Sequence, residues 1–512
     1  MSADRSRLYL LVPDALDRLA EAGAVGGLVP ALSWEEGTTA FQVRDTFDQE
    51  IRHSGRLLIE TETQIEVLGA EGRSLAQPGV SAARFVAEFA KGPVTSALSD
   101  LSPLRCLLPV GAGVLRRGVL ALLDDEAKTQ ARALLLDLCV TEGGAAIVVQ
   151  LQGLRGYDKA LLRLRGMVEA AGGTAFGEQP LYAGLFPGQP DYRPKPQVPI
   201  GHDTEAFDAA SDIIAAYLPV ARANETGVIA DHDTEFLHDY RIALRKIRSV
   251  LSLFRDVYDT ALTDELKTRF SALMVPTGRL RDLDVYLLER ERFYGMVPDS
   301  LHPGLDRMFA LFAEERAAAQ KSLAEHLRSP AYRKEITALV KLFGSGRKSG
   351  RRKLARGDKA ALPAYDFACR LIWKRYRKIC AIAEGIDAET PDHEVHELRI
   401  HCKKLRYLME FFAPLFPEAP FKRLIKPLKK LQDNLGLFND CSVQQDSLQQ
   451  VLGRLDGATP GDLQAAQSVG ALIVVLHGRQ LEERARVVGS FAAFNSAATR
   501  ETFRDLFHGG KE

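Results

Sequence analysis

Cysteine is scarce and scattered. The six residues, Cys106, Cys139, Cys369, Cys380, Cys402 and Cys441, form no C-x-x-C pair and no metal-ligand spacing. In a chain of 512 residues that argues against a disulfide scaffold and for reduced thiols in a cytosol-like compartment. Long apolar runs are missing too. The nearest, over 134–149, is broken by Asp137 and Glu142 and falls short of the roughly 18–20 residues that span a bilayer. The opening Met1-Ser-Ala-Asp-Arg lacks the basic and then apolar pattern of a secretion signal. No Gly-x-Gly-x-x-Gly, P-loop or Ser-centred nucleophile motif is present. Together these absences predict a soluble cytoplasmic protein with no membrane partner. A net charge of zero gives no direction by itself, but residues 1–200 hold about four excess acids and the remainder about four excess bases.

Proline, by contrast, is concentrated. Residues 187–199 read Pro-Gly-Gln-Pro-Asp-Tyr-Arg-Pro-Lys-Pro-Gln-Val-Pro, a density that helix interiors and central strands do not tolerate. A chain this long calls for two or three domains. The expected division is a domain over 1–190, a Pro-rich linker over 191–199 and a second domain over 200–512. Before the linker, strands are expected at 8–12, 41–46, 56–67, 114–123 and 132–140, and helices at 14–22, 82–90 and 156–171. Gly55, Gly69, Gly118 and Gly143-Gly144 read mostly as turns. Strand after strand with short turns predicts an antiparallel, barrel-like α+β domain rather than a doubly wound fold.

After the linker, amphipathic segments follow one another at about 204–222, 233–257, 263–275, 277–296, 302–327, 331–343, 361–384, 391–412, 419–433, 435–453 and 461–488. They predict an all-α bundle architecture. A basic, Gly-rich run over 344–362 separates halves of about 200–343 and 361–512 and reads as a solvated loop.

The two halves carry one signature. His238-x-x-Arg241-x-x-x-Arg245-Lys246-x-Arg248 returns as His396-x-x-Arg399-x-x-x-Lys403-Lys404-x-Arg406, at an offset of 158 throughout. The offset also pairs Gly278 with Gly436, Asp282 with Asp440, Val285 with Val443, Ile242 with Ile400, Phe254 with Phe412 and Leu273 with Leu431. This is an internal duplication, for which pseudo-twofold packing of the halves is expected.

At about 100° per residue, His238, Arg241, Arg245 and Arg248 fall within an arc of roughly 80°. Arg255 lies just past one edge and Lys246 flanks the other side. Ile247, Val250, Leu251 and Phe254 take the opposite side and are candidates for the core. The second copy repeats this with His396, Arg399, Lys403 and Arg406, and Arg281 is expected to join the first ridge. Like charges one turn apart cost about 0.2–0.5 kcal/mol per pair. Glu235, Asp239, Glu397 and Glu410 are available to offset this, yet few acids fall on the cationic arc itself. A bound polyanion is the other relief, with arginine offering paired donors to phosphate oxygens. One basic helix alone is usually just a solvated face, but two gap-free copies with the same histidine and the same trailing Gly and Asp are harder to assign to chance.

The doubled pattern resembles the CHAD family (conserved histidine α-helical domain) over about 200–510. The resemblance implies two pseudo-symmetric four-helix bundles whose basic residues line a pore or groove that binds inorganic polyphosphate, in some members on polyphosphate granules. Carried onto matching positions, it implies binding by His238, Arg241, Arg245, Lys246, Arg248, His396, Arg399, Lys403, Lys404 and Arg406.

Residues 1–190 resemble the CYTH family, the triphosphate-tunnel fold, at Val43-Arg-Asp45-Thr46-Phe47-Asp48 followed by His53-Ser-Gly55-Arg56-Leu57. Tunnel enzymes open with Glu-x-Glu-x-Lys, which holds metal and phosphate. Here the stretch is Ser6-Arg7-Leu8-Tyr9-Leu10, with no carboxylate. Glu60 and Glu62 stand where that family presents arginines, and with Glu66 they read as the solvent face of a strand. A degenerate, noncatalytic CYTH-like domain is therefore expected, with no catalytic residue, metal ligand or cofactor. His393, His396 and His401 lack the i, i+4 spacing of a helical metal pair.

The function expected is noncatalytic binding of polyphosphate, on granules and alongside granule proteins. The alternatives are a metal-dependent triphosphatase or polyphosphatase that recruits substrate through the helical half, or a nucleic-acid binder. Sparse aromatics beside the basic ridge argue against the last.

Overall fold

The computed structural model describes residues 8–70, 72–79, 83–176, 181–344, 351–387, 389–455 and 459–508, and the chain divides into two units, Met1–Arg193 and Pro194–Glu512. In the first unit, β1 (Leu8–Leu11), β2 (Val29–Trp34), β3 (Thr39–Thr46), β4 (Leu57–Glu60), β5 (Gln64–Ala70), β6 (Arg73–Pro78), β7 (Leu107–Leu123), β8 (Thr129–Val140), β9 (Ala145–Gly153) and β10 (Thr174–Ala175) make one antiparallel sheet. Its order is β10-β1-β9-β8-β7-β3-β4-β5-β6, with β2 also on β7. Helices α1 (Pro13–Ala20), α2 (Glu50–His53), α3 (Pro93–Ala97), α4 (Asp158–Ala170) and α5 (Leu181–Leu185) complete it.

Period-two alternation divides the strands between two cores. Leu135, Val149 and Leu151 pack with Leu16, Leu19, Leu164 and Val168 of α1 and α4. Their neighbours Leu136, Leu138 and Val148 pack instead with Val43, Leu57 and Leu185.

Three expectations for this unit are corrected. The strand expected over 56–67 is two strands around a turn at 61–63, so Glu60 and Glu66 do not share a strand face, and Glu62 lies in the turn. Among the described residues of the helix expected at 82–90 there is only a 3-10 turn, Val86–Glu88, with Pro93 opening the next helix. Gly118 is mid-strand, where a Cβ would come within 2.5 Å of the Trp34 ring, so it makes room for that ring and not for a turn. The boundary between the units, Arg193/Pro194, falls inside the expected linker, whose first residues are anchored: Gln49 donates to the Pro190 carbonyl at 3.0 Å, and Tyr192 packs on Phe47 with ring centroids 4.4 Å apart.

The second unit is built of helices: α6 (Ala206–Ala230), α7 (Thr234–Leu253), α8 (Thr260–Met274), α9 (Gly278–Leu288), α10 (Arg290–Tyr294), α11 (His302–Arg328), α12 (Pro330–Phe343), α13 (Ala364–Ala383), α14 (Asp392–Phe412), α15 (Glu418–Leu452), α16 (Pro460–Phe494) and α17 (Ala497–Phe507). Helix starts keep the offset of the sequence repeat: α6 with α13, α7 with α14, α8 with α15, α11 with α16. The segments expected at 419–433 and 435–453 are one helix, α15. Leu431, Leu435 and Phe438 continue its buried stripe through Gly436. Its first-half counterpart breaks into α8 and α9 through a 3-10 turn at Pro276, which stands where α15 has Asn434. Within the basic run, 345–350 lie outside the described residues. The part that follows is mostly exposed, as expected of a solvated loop, and is anchored where Arg351 donates to Asp212 at 2.6 Å and Lys359 to Asp256 at 2.7 Å.

Equivalent positions of the two halves touch. Phe254 of the first half stacks on Phe412 of the second, with centroids 5.0 Å apart and planes 9° off parallel. The Tyr286 hydroxyl points to the carbonyl of Gln444, its own counterpart, at 3.4 Å. A residue meets its counterpart only near an axis that exchanges the two. Below it, Leu283, Phe309 and Phe312 share a core with Leu448, Leu472 and Leu476. Among the described residues no helix is long and apolar enough to cross a membrane. Phe254→Ala removes the centre of this contact and should cost about 3–5 kcal/mol in urea unfolding; a loss under about 1 kcal/mol would mean the halves do not depend on it.

Candidate functional site

Helix α7 starts cleanly because Asp233 caps it, accepting from the Glu235 and Phe236 amides at 2.9 and 3.2 Å. Ile247, Val250, Leu251 and Phe254 are buried, as the sequence pattern requires. That burial turns the opposite side outward, and His238, Arg241 and Arg245 line a cleft of about 440 Å³. Arg281, Asp282, Val285 and Tyr286 of α9, with Glu289 just after it, form one wall, and Leu437, Asp440, Val443 and Gln444 of α15 form another. Arg292 also lines it, held by Glu289 at 2.8 Å. The sequence reading missed Arg292, which sits three turns beyond Arg281 and has no counterpart in the signature.

The second ridge meets the first. Lys403 is pushed down to about 8, by burial first and then by Arg245, Arg399 and Arg406, with Asp440 opposing. Arg245 and Lys403 are counterparts in the repeat, so like charge faces like charge across the axis. Arg241 and Arg281 are also lowered, burial being the main cause and Arg245 adding to it in both. Both stay charged, because guanidinium does not titrate in this range.

Internal partners satisfy only part of this charge. Arg241 donates to the Thr277 hydroxyl. Arg399 lies 3.9 Å from Asp440, and Arg281 lies 3.9 Å from Glu235, both too long for a hydrogen bond. His396 Nδ1 is 2.8 Å from Asn439 Oδ1, which orients its ring. Arg245 Nε and Arg281 Nη1 are buried without an acceptor among the described residues.

Of the twelve expected residues, His238, Arg241, Arg245 and Arg281 line the cleft; His396, Arg399, Lys403, Arg248 and Arg406 are not in its lining, and three more stand elsewhere. Lys246 is buried, ion-paired with Glu410 and seated over the Tyr407 ring at 4.3 Å. It bridges α7 to α14 and does not face the cleft. Arg255 is exposed on the turn after α7, which stops at Leu253 instead of continuing. Lys404 sits with Arg255 and Arg375, whose charges lower it after burial does. Arg248 and Arg406 are half-buried, and Arg406 is 3.5 Å from Glu410.

Residues 212–449 match the family model described as the CHAD domain. This stretch is a CHAD domain. Among solved structures, the CHAD domain from the plant Ricinus communis is similar at 25% identity, over 60% of this chain and 98% of that one, with a TM-score of 0.48. PptA from Streptomyces chartreusis is similar at 15% identity, over 59% of this chain and 100% of that one, with a TM-score of 0.38. No curated protein matches the chain. His238, Arg241 and Arg245 of the cleft belong to the first copy of the doubled signature, and every residue lining the cleft lies within the matched stretch.

The N-terminal unit differs in kind. A triphosphate tunnel implies a divalent metal on free carboxylates, and the donors here do not fit one. Glu60 and Glu66 are buried, not on a solvent face: Glu60 is paired with Arg44 at 2.9 Å, and Glu66 with Arg117 at 2.7 Å and with the Ser74 hydroxyl. Ser6 and Arg7 of the opening motif lie outside the described residues.

Lys403 gives the site a measurable signature. Its pKa is about 8 in the fold against 10.5 for the free side chain, so the charged form is disfavoured on folding. The resulting cost is fully present below about pH 8 and is relieved as pH rises toward that of the free amine, so this group makes stability rise with pH over that window. Chemical-shift titration of the lysine amines should show one midpoint near 8 that is missing in Lys403→Arg. A set titrating together above 10 would contradict the burial argument.

Proposed function

We propose that the CHAD domain binds a polyanionic phosphate chain, inorganic polyphosphate, in the cleft between α7, α9 and α15, without catalysing its cleavage. The observation that carries this is the meeting of the two cationic ridges at Arg245 and Lys403, with guanidinium N–H groups of Arg245 and Arg281 buried and unaccepted. Phosphate oxygens are the acceptors that match such donors. Tyr286 is buried and engaged with Gln444, so the cleft offers cations to a backbone rather than rings to stacked bases. The link of CHAD proteins to polyphosphate supports the same ligand and a place on polyphosphate granules in the cytoplasm. The binding set is His238, Arg241, Arg245, Arg248, Arg281, His396, Arg399, Lys403 and Arg406, with Lys246 left out.

Arg241→Ala with Arg245→Ala should weaken binding of long-chain polyphosphate by about 100-fold or more and flatten its dependence on salt. Unchanged affinity in a folded variant refutes the assignment. Lys246→Met, one position from Arg245, should leave affinity unaltered while costing about 1–3 kcal/mol of stability, because it leaves Glu410 without the ammonium it pairs with.

Binding should also titrate. An anion raises the pKa of Lys403, so affinity is full below pH 8 and falls by up to about tenfold per pH unit above it. Calorimetry between pH 7 and 10 reads this fall, and Lys403→Arg should abolish it.

A further inference from the structure

The duplication provides an internal control for charge. Helices α6 and α13 start at equivalent residues, so each position of α13 has a counterpart in the first half. On α13, Arg370, Lys374, Arg377 and Lys378 are all exposed. At about 100° per residue they share an arc of roughly 100°. Their counterparts on α6 are Asp212, Ala216, Pro219 and Val220. The shared helical architecture therefore does not require the stripe. From Phe367 to Ala383 the helix has no acidic residue at all. Among the described residues, only Lys378 of the four has an acidic partner, Glu397 at 3.7 Å.

This stripe adjoins the cleft by way of α14. Lys403 faces the cleft cations, and Lys404, the next residue, faces Arg255 and Arg375. Arg375 of α13 donates to His401 Nδ1 of α14 at 2.9 Å, which fixes one helix against the other. The first half closes the equivalent route. Lys246, counterpart of Lys404, is neutralised by Glu410, whereas the counterpart of Glu410 is Ser252. Basic side chains thus continue from Lys403 through Lys404 and Arg375 to α13, with Glu397 the acid beside them, whereas the first half has Glu410 pairing Lys246 at the equivalent step.

We propose that a phosphate chain too long for the cleft leaves it past Lys403 and lies along the exposed basic face of α13, so that this helix sets a preference for long chains. The proposal rests on the polyphosphate reading of the cleft. Lys404, Arg255 and Arg375 form the shoulder over which the chain turns, and Lys378, Lys374, Arg377 and Arg370 follow along about 12 Å of helix. Each phosphate–cation contact along that length releases counterions, so gain in affinity grows with chain length until the stripe is covered.

The test uses the full chain carrying Arg370→Ala, Lys374→Ala and Arg377→Ala, three exposed positions where alanine keeps the helix. Long-chain polyphosphate and tripolyphosphate are titrated into it and into the parent at several salt concentrations. The expected result is about tenfold weaker long-chain binding near physiological salt, with a salt slope shallower by about two to three, and unchanged tripolyphosphate affinity. Equal losses for both probes, or no loss for either, would overturn the proposal while leaving the cleft in place. A parent that binds neither probe would overturn the cleft reading and this one with it. Duplex DNA or phosphatidylserine vesicles binding more tightly than polyphosphate, and losing that binding in the triple variant, would assign the stripe to another partner.

Discussion

Where α7 crosses α14, the stacked pair Phe254 and Phe412 brings two copies of one sequence signature face to face. Burying Leu244, Ile247, Val250 and Leu251 contributes about 1.5–3 kcal/mol for each large side chain. Repulsion between partly solvated like charges is nearer 1–4 kcal/mol per pair. Packing therefore wins, and it carries Arg245 to Lys403 whether or not an anion is present. Burial first, and then Arg245, Arg399 and Arg406, hold the Lys403 amine down at about 8 in the free protein. A cleft fixed in this way is organised before its ligand arrives, so little is lost in ordering it on binding.

Duplication explains why the cations converge, and departures from it explain where they do not. Lys246 and Lys404 hold the same place in the signature, yet only Lys246 meets a carboxylate, because Glu410 has Ser252 as its counterpart. One copy thereby became part of the frame that joins α7 to α14, with Tyr407 beneath the ammonium. The other kept its charge among Arg255 and Arg375. The two sides of the pseudo-symmetric unit are thus electrostatically unlike, although their helices start in register.

Much of this was legible in the sequence. The offset located the paired helices, since apolar spacing repeats with it, although the caps do not: Asp233 caps α7 and Pro391 precedes α14. The helical wheel found the face of α7 that lines the cleft, because buried Ile247, Val250 and Leu251 fix its rotation. A wheel does not name the neighbour. Lys246 flanks the ridge in projection but points at α14, and Arg255 leaves the arc because α7 stops at Leu253. The stripe on α13 was in plain view and carried no motif. The Glu60–Glu66 reading failed for a related reason: alternation gives side, not cover. A turn at 61–63 splits the run, and the sheet is covered on both faces there, by Val43 and Leu57 on one side and Val67 and Leu98 on the other.

The cations around the cleft are matched by acids less closely than the paired arginines of the N-terminal unit. In the N-terminal unit, Arg44, Arg105 and Arg117 are matched to Glu60, Asp48 and Glu66 at 2.9, 2.8 and 2.7 Å. Such pairs are close to neutral for stability when intact and damaging when one partner is lost, which suits a scaffold. Around the cleft, Arg245 Nε and Arg281 Nη1 have no acceptor among the described residues, and Arg281 and Arg399 meet Glu235 and Asp440 only at 3.9 Å. A buried donor left unpaired costs about 1–3 kcal/mol. Closing those gaps with a further glutamate would stabilise the fold and remove the attraction for an external oxygen. The deficit of acid around two ridges that packing forces together is what makes the cleft a receptor for anions rather than another ion-paired core.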